Sequence, residues 1–217
     1  MSKLLKIFLA LSGLALFSMP ANAYEKGDWV MRAGVGVVQP ESTAYLDSVE
    51  DLRIIVDDGT ALTLSATYML SDNWAFDILA SSPFSHDINA GAVTVPGEVK
   101  IGKTKHLPPT FSIQYHFIPD GKFQPYVGLG LNYTLFFSED LDQSIFPGFS
   151  LSIDDSFGVA AQVGADLKLN ERWLLNFDVR YINIEPDVTL SDGVSADPPI
   201  TIDINPIVIQ ANIGFLF

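Results

Sequence analysis

The chain carries three histidines, His86, His106 and His116, and no cysteine. Without a thiol there is no cysteine nucleophile, no thiolate zinc site and no iron–sulfur cluster. His86 and His106 can approach one another at a rim of the fold, with Asp87 beside them. A metal site, or a hydrolase built on Ser85 and His86, needs a third group within hydrogen-bonding reach, and the sequence identifies none. We therefore expect no catalytic residue, no metal and no cofactor. Asn132-Tyr133-Thr134 matches a glycosylation sequon but falls inside a strand pattern. The run GLGLN at 128–132 lacks the strand–turn–helix setting of a dinucleotide loop. Glu41, Asp47, Glu50, Asp51, Asp57 and Asp58 crowd around Arg53 and read as a solvated acidic face. Divalent cations bridging lipopolysaccharide could bind there, but no ligand spacing supports it. A net charge of −14 repels nucleic acid, which is excluded as a partner.

The elements that position these groups are strands. The first 23 residues set Lys3 and Lys6 before an apolar run, Leu4 to Met19, and end in Ala21-Asn22-Ala23. That is the pattern of a secretory signal peptide with a small-x-small cleavage site. Residues 24–217 form the remaining domain. Alternation of apolar and other residues recurs in eight segments: 28–38, 61–70, 73–85, 106–117, 122–137, 152–169, 172–185 and 202–217. Period-two alternation with one greasy face is a strand signal. Short turns at 71–73, 119–121 and 170–172 alternate with long polar connections at 39–60, 86–105, 138–151 and 186–201. An even strand number with short turns at one end and long loops at the other predicts an all-β fold. It is an eight-stranded antiparallel transmembrane β-barrel, monomeric, in the outer membrane. Trp29, Tyr68, Trp74, Tyr115, Trp173 and Tyr181 at strand ends fit aromatic girdles. Lipid covers the greasy face. The last strand closes on the first, so its apolar C-terminal end needs no other cover. A soluble β-sandwich is the weaker alternative.

The other parity faces the lumen. Its polar members near the periplasmic end are Arg32, Asp77, Gln114, His116, Gln124, Gln162, Asp166, Asn176, Asp178 and Asn212, with Arg180 a little higher. Buried charges need partners, and Arg32 and Arg180 among Asp77, Asp166 and Asp178 supply them as a plug. The outer half presents Val38, Leu79, Phe136, Ile182, Ile184, Ile204 and Val208, with Phe157 counted among the residues facing a ligand at the mouth. Gly34, Gly36, Gly128, Gly130, Gly158, Gly164 and Gly214 share the lumen parity. They either open a cavity by omitting side chains or allow bending and close approach. Pro83, Pro108 and Pro109 lack ladder donors and meet near the outer rim. They either weaken the seam into a lateral opening or merely trim strand ends.

Several stretches resemble the OmpW family of small outer-membrane proteins: SPFSHDI at 82–88, HLPPTFSIQYHF at 106–117, FQPYVGLGLNYTLFF at 123–137 and DSFGVAAQVGADLKLNERWLLNFDVRYINI at 155–184. The resemblance implies an eight-stranded barrel that passes small hydrophobic compounds across the outer membrane. Family members often carry Trp where this chain has Phe157, which bears on ligand preference. A terminal aromatic, here Phe217, resembles the signal read by barrel-assembly machinery. The expected function is passive uptake of small hydrophobic molecules through the apolar outer lumen, with lateral release into the membrane. Outer-membrane lipid and lipopolysaccharide are the expected surroundings. The alternatives are a non-conducting surface receptor or envelope stress protein, and more remotely a lipid-modifying outer-membrane enzyme.

Overall fold

The structure, a computed structural model, describes residues 23–40, 44–45, 52–92, 97–193, 195 and 198–217. The expected signal peptide up to residue 22, and Glu41, Asp47, Glu50 and Asp51 of the acidic segment, lie outside the described residues.

Eight strands close the barrel: β1 (Trp29–Gln39), β4 (Gly59–Met69), β5 (Trp74–Ser81), β8 (Thr110–His116), β9 (Phe123–Leu141), β11 (Ser156–Lys168), β12 (Trp173–Ile182) and β15 (Ile207–Leu216). Each pairs antiparallel with its neighbours in chain order. β15 then pairs with β1 from Val30↔Leu216 to Gln39↔Ile207. The Phe217 N–H donates to the Trp29 carbonyl at 2.9 Å, so no edge remains at the junction. Outward residues are large, apolar and exposed, among them Leu62, Leu129, Phe157, Val163 and Ile213. Their inward neighbours along the same strands are buried. That inversion is what a lipid-embedded barrel requires.

The polar connections at 39–60 and 86–105 are not loops throughout. β2 (Ala44–Tyr45), β3 (Leu52–Val56), β6 (Phe84–Ala92) and β7 (Glu98–Leu107) continue four barrel walls upward and join the upper part of β9. β10 (Ser150–Ile153), β13 (Asp187–Ser191) and β14 (Ile200–Thr201) form a separate small sheet. The strand continuation has a physical cause. Inside, Phe84, His86, Ile88, Thr104 and His106 keep the buried parity. Outside, the residues turn charged: Asp87 pairs with Lys100 at 2.6 Å and Lys103 with Asp140 at 3.5 Å, all of them well exposed. The wall leaves lipid for water there, so the greasy alternation disappears while the strands go on.

Glycine does not open the lumen. A Cβ on Gly158 would stand 2.0 Å from the Asn183 carbonyl oxygen, and one on Gly130 2.3 Å from that of Phe111. Neighbouring backbone and side chains occupy the space that these glycines leave. Of the two readings of these glycines, the space around them is that of close approach rather than of a cavity made by missing side chains.

Candidate functional site

The lumen is layered. At the end bearing the short turns, the periplasmic end of such barrels, Tyr24, Val30, Met69, Ala75 and Leu174 form an apolar floor. Tyr24 arrives from outside the strands. Its backbone N–H donates to the Pro119 carbonyl at 2.9 Å and its ring meets His116 edge-on at 5.3 Å. Lys168 Nζ lies 4.3 Å from the centre of the same ring. Sequence reasoning missed Tyr24 because it precedes the first alternating segment. The charged layer is thus bounded below by an apolar one.

Above the floor sits an ionic band. Arg32 donates to Asp166 twice, from Nε at 3.1 Å and from Nη2 at 2.5 Å. Arg32 Nη1 also donates to Thr67, whose hydroxyl donates to Asp77 at 2.7 Å. Arg180 Nη2 reaches Asp77 at 3.3 Å and also donates to Gln162, while its Nε stands 3.6 Å from Asp178. Tyr24 donates to Asp166 at 2.8 Å and Tyr126 donates to Asp178 at 3.0 Å. Asn176 joins the two halves through Asp166 at 2.8 Å and the Tyr126 hydroxyl at 2.9 Å. Arg32, Asp77, Asp166, Asp178 and Arg180 are all nearly fully buried. The band thus brings together all five residues expected of the plug. Gln114, Gln210 and Asn212 face the same small cavity, which has room for about one water. Tyr126, absent from the expected set, shares the even-numbered parity of Gln124 and Gly128 and was open to the same reading.

The upper compartment is apolar. Val38, Ala61, Phe84, Ala160, Ile182, Ile184 and Val208 pack together, with Phe136 and Ile204 against them. Two expected members stand elsewhere. Leu79 points inward but lines the cavity of the ionic band. Phe157 is 68% exposed on the outer surface, while its neighbours Ser156 and Gly158 take the inward parity of β11. Its expected place facing a ligand in the lumen is corrected, because pleating sends successive side chains to opposite faces.

The prolines sit at one break in the wall. β5 pairs with β8 as far as Leu79↔Thr110, and pairing resumes between β6 and β7 at Phe84↔His106. Residues 80–83 and 107–109, with Pro83 on one side and Pro108 and Pro109 on the other, lie between. Pro108 is buried and Pro83 exposed. On the far side the wall is held, since the Tyr133 N–H donates to the Pro109 carbonyl at 3.1 Å. The break therefore belongs to a single seam.

His86 and His106 meet above the apolar compartment, their rings stacked at 4.9 Å. They stand in the storey whose outer face is charged, clear of lipid. Burial lowers the pKa of His86, outweighing the nearby Asp57 and Asp58, and pushes that of His106 down to about 3, helped by His86. Both rings are neutral at neutral pH. Ser85 and Asp87 point away to the outer face, so Ser85–His86 forms no hydrolytic pair.

The OmpW family model matches residues 25–217. The chain is 41% identical to outer membrane protein W of Vibrio cholerae serotype O1 over 206 residues, 94% of each chain. It is 28% identical to the dibenzothiophene metabolism operon protein PahQ of Pseudomonas aeruginosa, over 76% of this chain and 77% of that one. The crystal structure of the outer membrane protein OprG from Pseudomonas aeruginosa superposes with a TM-score of 0.79 at 32% identity, covering 91% of this chain and 99% of that one.

Proposed function

Since the chain belongs to the OmpW family and is an outer-membrane barrel, we propose that it passively takes up small hydrophobic molecules through the apolar upper lumen and releases them sideways into the membrane. The order of the layers carries this reading. An apolar solute entering from outside exchanges contacts with Val38, Phe84, Ile182, Ile184 and Val208 like for like. To go further down it must part the Arg32–Asp166 and Arg180–Asp77 pairs, leaving charges buried without partners. The seam at Pro83, Pro108 and Pro109 offers a cheaper exit. It adjoins Phe84 and Phe136 on the inside and Leu131 and Leu135, both exposed, on the outside. That one relative is named for a dibenzothiophene operon agrees with an apolar aromatic cargo.

The test is uptake of an apolar probe by cells displaying each variant at matched surface levels. Ala160→Phe, which adds a ring to the packed upper compartment, lowers uptake severalfold. Arg32→Ala, which opens the band, leaves apolar uptake no higher than wild type. If Ala160→Phe transports like wild type and Arg32→Ala raises uptake, the solute runs straight through the barrel and the sideways route is wrong.

A further inference from the structure

Two buried ring nitrogens at the mouth have no hydrogen-bond partner: Nε2 of His86 and Nε2 of His106. His86 is 2% exposed and His106 6%. The tautomer of His86 follows from its surroundings. Its Nδ1 lies 2.6 Å from the Asp57 carbonyl oxygen, which can only accept, so Nδ1 carries the proton. A neutral imidazole has one N–H, and Nε2 therefore presents a bare lone pair. The charged groups facing His86 are Asp57 and Asp58 of the β3–β4 link, and the titratable group facing His106 is His86. From β6 and β9 the neighbours of His106 are Phe84, stacked at 5.5 Å, and Phe136 at 5.7 Å. Both phenyl rings also belong to or pack on the apolar compartment below.

We propose that the His86–His106 pair is the polar end of a ligand site, accepting a hydrogen bond from the hydroxyl of a small neutral amphiphile, an alcohol or a phenol, whose apolar body lies against Phe84, Phe136 and the cluster beneath. This rests on the reading that the upper lumen receives apolar solutes, and it names which of them the mouth favours. A hydrocarbon leaves the imidazole acceptor unpaired. A carboxylate sets acceptor against acceptor and brings a charge into a desolvated place. A metal ion is disfavoured by geometry: the ring planes are within 10° of parallel and stacked, so their in-plane lone pairs do not converge on one point. An alcohol or phenol hydroxyl supplies the missing donor and carries no charge.

The test uses p-cresol and toluene, which differ by one hydroxyl, with the full barrel in lipid nanodiscs and empty nanodiscs as the partition reference. With nitrogen-15 histidine labelling, saturating p-cresol moves the Nε2 resonances of His86 and His106, and toluene does not. In His86→Phe, which keeps a ring in the stack, the preference for p-cresol over toluene falls about fivefold, the worth of one neutral hydrogen bond. The proposal is overturned if p-cresol leaves both resonances unmoved, if toluene moves them equally, or if the preference survives His86→Phe. Should that variant fail to fold, the titration of the wild-type barrel decides. Binding in nanodiscs without uptake by cells removes the transport reading and leaves this site. Uptake of both compounds with no histidine response does the reverse.

Discussion

Asp166 accepts hydrogen bonds from Arg32, Tyr24 and Asn176, which is why a carboxylate survives at full burial in the middle of a barrel. Glycine answers a different local demand. A Cβ at Gly158 meets fixed backbone, because Asn183 is held by its own N–H bond to Val159 at 2.8 Å. At Gly128 the obstacle is the Gln162 side chain, its Nε2 at 2.5 Å and its Cγ at 2.8 Å, which must turn and give up its bond from Arg180 to make room. Gly158→Ala is therefore expected to destabilise the barrel by about 1–3 kcal/mol relative to wild type, the usual range for overpacking. Urea unfolding in lipid vesicles reads the difference. The histidine pair gives a pH dependence of known sign. Both folded pKa values lie below the unfolded value of about 6.5, so the unfolded chain takes protons more readily. Their contribution to stability is intact above pH ~6.5 and is lost as the pH falls from there toward about 3, the His106 value. The His106→Phe barrel is expected to lose less stability than wild type between about pH 7 and pH 4.5. Equal losses would show that the stacked pair does not titrate on unfolding.

At the scale of the element, the wall is uneven by design of its sequence. β9 runs nineteen residues from Phe123 to Leu141 without a break. The next two walls are each cut in two, β7 from β8, which pair with β9, at Pro108 and Pro109, and beyond them β5 from β6 at Pro83. A proline withholds the donor that a neighbouring strand would use, so the missing pairs fall between β5–β6 and β7–β8 rather than along β9. Pro83→Val together with Pro108→Val restores two possible donors. We expect slower release of a preloaded apolar dye from the barrel into surrounding lipid, with little change in its binding. Unchanged release kinetics would place the exit elsewhere.

For the whole molecule, closure between β15 and β1 puts Trp29 and Phe217 at the same end as the three short turns. The ring contacts Trp29–Tyr68, Trp74–Tyr115 and Trp173–Phe215 all lie at that end, forming one girdle. The heights of the layers then follow: apolar floor, ionic band, apolar compartment, histidine mouth. Protease added to intact cells should cut only in connections at the opposite end, and never at 71–73, 119–121 or 170–172. Cleavage at any of those three turns would invert the barrel and with it the direction of uptake.

Side-chain period and turn length are local properties, and they were enough for the eight walls, their order, which face meets lipid, and the five charged residues of the band. Parity alone sends Arg32, Asp77, Asp166, Asp178 and Arg180 inward, because a pleated strand admits only two directions. The upper storey was less legible. Its outer face at Asp87, Lys100 and Lys103 answers to water, so the apolar alternation that reveals a strand was gone although the pairing persisted. Contacts between strands were not local at all. Whether a glycine opens a space depends on what the neighbouring strand puts there, and at Gly158 that is the Asn183 carbonyl. Tyr24 closes the floor through a partner 142 residues away. The break at Pro83 and Pro108 becomes a seam, and His86 and His106 become a stacked pair, only when the register of β6 against β7, Phe84↔His106 and His86↔Thr104, brings them to the same height.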